Sequence, residues 1–129
     1  AARGDRDKRI YPWGDNFDRQ RCNTTELGIN DTTPVGILVE GASPYGLLDA
    51  SGNVWEWTRS LWADYPYPAP GPQRKTRERF TSDNKDGMVM RGGSWDLSQG
   101  DARCAYRSWV DPVSRDYSFG FRVSLCAAP

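Results

Sequence analysis

Apolar positions in this chain come in short clusters and rarely in a helical period. Five brief runs read as strands: Val35 to Val39, Val54 to Thr58, Met88 to Arg91, Ala102 to Arg107 and Gly120 to Leu125. In Arg103-Cys104-Ala105-Tyr106-Arg107 polar and apolar residues alternate, as in a half-buried strand. The best helical candidate is a single turn near Ser98 to Arg103. Two stretches read as long loops. Asp15 to Thr33 is dense in Asn, Asp and Thr, and Asp64 to Asp86 is rich in Pro, Gly and charge, with Pro66, Pro68, Pro70 and Pro72 at alternate positions. No repeat appears. The pattern predicts a small, loop-dominated α+β domain of short strands. Its irregular backbone needs side-chain hydrogen bonds or bound ions to satisfy its polar groups.

The 129 residues suit one domain with a modest core. Only 37% are hydrophobic, so the six Trp, six Tyr and four Phe must supply much of the buried area. Seventeen basic residues balance seventeen acidic ones, which removes the electrostatic case for nucleic acid. No apolar run reaches the length of a membrane-spanning helix. The start, Ala1-Ala2-Arg3-Gly4-Asp5-Arg6-Asp7-Lys8-Arg9, is charged and unlike a signal peptide. The chain has no His, so it contains no His-based triad, His general base or His metal site of its own. Cys22, Cys104 and Cys126 lie far apart and form no CxxC; their odd number leaves at least one thiol free or bonded to another molecule.

Four motifs stand out: Gly46-Leu47-Leu48-Asp49-Ala50-Ser51-Gly52-Asn53-Val54-Trp55-Glu56-Trp57-Thr58, Arg91-Gly92-Gly93-Ser94-Trp95, Gly120-Phe121-Arg122 and Tyr11-Pro12-Trp13-Gly14. Together they resemble the formylglycine-generating enzyme (sulfatase-modifying factor) family, which implies a C-type-lectin-like fold. The resemblance covers the whole chain, residues 1–129, but only the C-terminal portion of the family's domain. It implies that an N-terminal half is supplied by the same polypeptide or by another chain.

By the same resemblance, Asp49 and Glu56 would supply carboxylates, and Gly52 and Val54 carbonyls, to a structural calcium. Hard oxygen donors on a tight turn suit that ion. The alternative is a turn leading into a Trp-rich strand with Glu56 in an ion pair. A second family calcium site would use Asn23, the carbonyl of Thr24 and an acid near Asp31. Trp13, Trp55, Trp57 and Trp95 fall on core positions. Arg91, Arg107 and Arg122 are expected to hydrogen-bond loop carbonyls.

Ser94 and Asn53 match polar groups near the family's active site. The active enzymes carry a cysteine pair after the Gly-Gly-Ser segment, which binds copper(I) and activates oxygen. Here Ser94-Trp95-Asp96-Leu97-Ser98-Gln99-Gly100-Asp101-Ala102-Arg103-Cys104 holds no Cys before Cys104, which fits a structural family cysteine. One thiol cannot make a two-thiolate copper site, so no copper and no catalytic residue are expected. The related iron-dependent sulfoxide synthases take His ligands from their N-terminal half.

The window between Ser94 and Gly120 also resembles the variable region of proteins diversified by retroelements. Its fixed anchors are Arg103, Cys104, Ala105, Arg107, Pro112 and Arg115. Among them lie the expected ligand-binding residues Asp96, Leu97, Ser98, Asp101, Tyr106, Ser108, Trp109, Val110, Asp111, Val113, Ser114, Asp116, Tyr117, Ser118 and Phe119. Adenine mutagenesis of Asn-type codons yields Asp, Ser, Tyr, Phe, Leu and Val but never Lys, Glu, Gln, Met or Trp. Lys, Glu and Met are absent from Arg91 to Leu125, although Trp109 requires a different template codon. Stiff aromatics mixed with Ser and Asp match paratope chemistry. The resulting expectation is a non-catalytic domain binding a protein or peptide ligand. Its rivals are a copper-dependent oxidase acting on a peptide cysteine and an interaction domain of fixed specificity.

Overall fold

The computed structural model describes residues 1–67, 78 and 87–124. Among them are four strands: β1 (Trp55–Leu61), β2 (Met88–Arg91), β3 (Ser108–Val110) and β4 (Phe119–Gly120), ordered β3-β2-β1-β4 in one sheet. The only helix among the described residues is the three-residue 3-10 turn Val39–Gly41. The α part of the expected α+β class is thus reduced to a single turn, and loops carry most of the fold.

Aromatic and β-branched residues favour β1, Trp-Glu-Trp-Thr-Arg-Ser-Leu. It pairs antiparallel with β2 (Glu56 opposite Arg91, Trp57 opposite Met90), and the register slips by a bulge before Leu61. It pairs parallel with β4 on its other side, Trp55 opposite Phe119. β2 lies between β1 and β3, with Val89 opposite Trp109. Successive side chains on a strand point to opposite faces. Met88, Val89 and Met90 are all buried, so the sheet is covered on both sides at β2. Tyr11, Cys22, Trp55 and Ala102 complete the core.

Two expected strands take other forms. Val35 to Val39 makes no strand: Val35 is 85% exposed, and the Gly36 amide is taken by Asp49. Ala102 to Arg107 is a run of turns, because its backbone bonds locally, Tyr106 N–H to the Arg103 carbonyl, and the pairing strand begins only at Ser108. Ser98 to Arg103, expected as a single helical turn, is a turn closed by Asp101 N–H on the Ser98 carbonyl. The strand expected from Gly120 starts one residue earlier and pairs over two residues; Leu125 and Cys126, like most of the Asp64 to Asp86 loop, lie outside the described residues.

Side-chain hydrogen bonds stitch the loops, as irregular buried backbone requires. Asn53 Oδ1 accepts from Asn23 Nδ2, Thr33 N–H and Thr33 Oγ1, while Asn53 Nδ2 donates to the Thr33 carbonyl. Ser51 donates to the Ala102 carbonyl across 51 residues of sequence. The turn at Gly52 lies at the centre. Its amide donates to the Gly92 carbonyl at 2.7 Å, and the next amide, of Asn53, donates to the Asn23 carbonyl at 2.7 Å.

Candidate functional site

The Asp49 to Glu56 turn is built by left-handed backbone at Asp49, Gly52 and Asn53. Asp49 Oδ2 accepts from Gly36 N–H at 2.6 Å. Glu56 is gripped by Arg122: Nε donates to both carboxylate oxygens and Nη2 donates to Oε1. Arg122 also donates to the carbonyls of Leu48 and Asp49. The carboxylate beside it raises the Arg122 pKa, against the opposing effect of partial burial. The guanidinium therefore supplies the positive charge that the family resemblance gives to calcium. With both Glu56 oxygens taken, the set Asp49, Gly52, Val54 and Glu56 does not fit a cation in this arrangement. Among the described residues no cluster of three or more acids or thiols is placed to hold a metal. At the second expected site, Asn23 is 1% exposed and its Oδ1 has no hydrogen-bond partner. A buried acceptor without a donor is the kind of atom a hard cation satisfies.

The other expected arginines also reach carbonyls. Arg91 Nη1 donates to Ala105 and Tyr106, and Arg107 Nη1 to Ala63. Of the expected core tryptophans Trp55 is buried, while Trp13, Trp57 and Trp95 are half-buried. Ser94 and Asn53, the polar pair matched to the active site, are buried structural groups; Ser94 Oγ donates to Asp96.

The two described thiols are poorly placed for chemistry. Cys22 is 2% exposed, and burial pushes its pKa up to about 12. Cys104 is half-buried, its amide bonded to the Ile10 carbonyl, and burial raises its pKa as well. Both are free. A nucleophilic or metal-binding cysteine needs the thiolate, which burial disfavours.

Apart from Tyr106, the expected binding residues fall into four groups. Asp96, Leu97, Ser98 and Asp101 lie on a turn against Thr25 and Glu26: Thr25 N–H donates to the Leu97 carbonyl, and Gln99 N–H to Glu26. Ser108, Trp109 and Val110 form the edge strand β3. Asp116 to Phe119 lead into β4 at the opposite edge. Asp111, Val113 and Ser114 lie between β3 and β4 in sequence, where Val113 N–H donates to Asp111 and Ser114 N–H to the Asp111 carbonyl. Trp109 packs on Trp62 and Tyr117 on Trp95; Phe119 meets Trp57 edge-on and Tyr106 packs on Trp55. Trp109, Val113 and Tyr117 remain 55%, 78% and 70% exposed. Ser118 departs from the expectation. It is buried, its hydroxyl and amide are spent on Asp116, and it cannot face a ligand.

One feature had no local signature in the sequence. Arg107 lies 4.0 Å above the Trp62 ring centroid and 4.1 Å above that of Tyr65, with Tyr67 also close. Trp109 caps this cluster by lying against Gly87, where a Cβ would come within 2.2 Å of its ring. Residues that meet across 40 or more positions leave no spacing to read.

Residues 1–126 match the family model for the sulfatase-modifying factor enzyme 1-like domain. The chain is 31% identical over 119 residues to a hercynine oxygenase of Mycolicibacterium smegmatis, covering 91% of this chain and 28% of that protein. It is 32% identical over 142 residues to inactive Cα-formylglycine-generating enzyme 2 of Mus musculus, covering 98% of this chain and 40% of that protein. Its fold superposes on Treponema denticola variable protein 1 with a TM-score of 0.62 at 27% identity, covering 80% of this chain and 35% of that one. The chain thus spans less than half the length of each.

Proposed function

The chain belongs to the sulfatase-modifying factor enzyme 1-like family, and from that premise we propose that it is a non-catalytic, C-type-lectin-like domain whose exposed Ser98, Trp109, Asp111, Val113, Asp116 and Tyr117 bind a protein or peptide ligand. The observation that carries this reading is the pair Trp109 and Tyr117. Both are large, stiff and mostly exposed, yet each is seated on a partly covered tryptophan. Such side chains offer contact area at low entropic cost. β3 and β4 are three strand spacings apart, about 14 Å, which is within the span of a standard interface of about 800 Å² per partner. Likeness to a variable protein and to an inactive relative supports the same reading. We place the diversified positions in the same window.

Trp109→Ala or Tyr117→Ala is expected to weaken ligand binding about ten-fold or more while the melting temperature stays within a few degrees, since truncating a hot-spot residue, a class enriched in Trp and Tyr, costs about 2 kcal/mol or more. Gly87→Ala should imitate Trp109→Ala, because the added methyl displaces the indole. Binding titrations paired with thermal melts of each variant check this. Loss of folding in both aromatic variants would overturn the surface assignment.

The partner reading extends to the remainder of the domain. Val35 and Phe121, both largely exposed, line one cavity of about 430 Å³ with Leu47, Leu48 and Val54. We assign this apolar face to the N-terminal half of the same domain. Calcium, in this proposal, is structural and sits at the oxygens of Asn23 and Thr24. Calcium in excess over chelator should raise the melting temperature of the full-length protein. Saturation a hundred-fold above Kd is worth about 2.7 kcal/mol. The increment should vanish in Asn23→Ala and survive in Asp49→Ala; no increment in the unaltered protein would refute the site.

A further inference from the structure

Arg107 is held unusually firmly for a residue at an exposed edge. Its Nη1 donates to the Ala63 carbonyl at 2.6 Å and to the Tyr67 hydroxyl at 2.7 Å. The Tyr67 hydroxyl in turn donates to the Leu61 carbonyl at 3.3 Å. Trp62 and Tyr65 cover the guanidinium plane. Two donors on the remaining edge, Nε and Nη2, have no hydrogen-bond partner among the described residues, and no described carboxylate pairs with Arg107. The nearby Arg91 is spent on two carbonyls and on the Tyr65 hydroxyl.

We propose that this edge of Arg107, with Trp109 beside it, is a docking site for a carboxylate of an acidic peptide. Nε and Nη2 form the parallel two-donor fork that a carboxylate accepts bidentately. Stacked rings remove the rotamer freedom that normally weakens an arginine contact, so less order has to be imposed on binding. The single uncommitted guanidinium edge matches a monovalent carboxylate better than a dianionic phosphate. Trp109, 6.5 Å from Trp62 between ring centroids, offers an apolar platform for the residue next to the acid. The proposal deepens the ligand-binding reading and rests on Trp109 belonging to the binding surface. It adds the chemical class of one ligand group.

The test uses a fluorescein-labelled hexaglutamate peptide and the full-length protein, with hexaglutamine and a phosphoserine peptide as comparisons. The basic and acidic residues of these 129 positions balance, so attraction by this chain's overall charge contributes little. Saturable anisotropy with hexaglutamate is expected, weakened about ten-fold or more by Arg107→Lys, which keeps the charge and loses the fork. Arg19→Lys, at an exposed arginine outside the binding surface, should leave hexaglutamate binding unchanged. In the unaltered protein, the Arg107 Nε–Hε resonance should shift on titration; this readout holds even if the Lys variant misfolds. No hexaglutamate binding, an unmoved Nε–Hε resonance, a folded Arg107→Lys variant that binds normally, or tighter binding of the phosphoserine peptide would each overturn the proposal. Those outcomes leave the wider surface untouched, because that surface is judged by Trp109→Ala and Tyr117→Ala on the natural ligand.

Discussion

Gly52→Ala is expected to cost the fold about 3 kcal/mol or more, from two additive causes. Gly52 has φ +75°, where a Cβ costs about 1–2 kcal/mol. That Cβ would also lie 2.3 Å from the Asn23 carbonyl oxygen. The oxygen cannot step aside: it accepts the Asn53 amide, and Asn23 is anchored through its side chain to the Asp31 carbonyl and to Asn53. Overpacking against fixed backbone adds about 1–3 kcal/mol. For a domain of this size the melting temperature should fall by about 10 °C or more. Gly46→Ala is the control. Its φ is +74° but nothing lies within 4 Å of the added methyl, so only the backbone cost applies. Thermal melts of the two variants separate the causes. Equal, small losses would mean that the Gly52 crossing is looser than described.

Arg122→Met should lose about 2 kcal/mol in urea unfolding. The substitution strands the Glu56 carboxylate and two carbonyls, those of Leu48 and Asp49. Leaving part-buried polar groups unpaired costs about 1–3 kcal/mol, and the partial exposure of both side chains keeps the estimate toward the middle of that range. Pairing it with Glu56→Met should recover part of the loss, because the uncompensated charge goes too. A double variant as unstable as the sum of its parts would show that the ion pair contributes nothing of its own. The β4 end should be hit hardest, since Arg122 ties it back to the Asp49 to Glu56 turn.

The parts of this fold that are legible in sequence are those with local causes. Met88 to Met90 is a run of large apolar residues closed by Arg91, and Met88 to Arg91 forms β2 with those bounds. Val54 to Thr58 is aromatic and β-branched and becomes most of β1. Arginine-to-carbonyl bonding followed from the chemistry of a donor-rich side chain in a loop-rich domain. What failed was decided at long range. The alternation in Arg103 to Arg107 suggests a strand, but Arg103 Nε turns back to the Gly100 carbonyl and the backbone closes on itself. For Glu56 the sequence left a metal and an ion pair both open, and could not name the partner, because Arg122 is 66 residues away. The Arg107 cluster draws its rings from Trp62, Tyr65 and Tyr67, which only the fold brings to it. Ser118 resembled its exposed neighbours in composition, and only its bond to Asp116 turns it inward.

A domain that binds and does no chemistry leaves a sulfatase-type cysteine peptide at unchanged mass after incubation with the full-length protein, copper, reductant and oxygen. Mass spectrometry should show that result, because Cys22 is buried with a pKa of about 12 and Cys104 is a single half-buried thiol. Conversion of the cysteine to an aldehyde would instead make the domain an oxidase and place catalysis at Cys104 or Cys126.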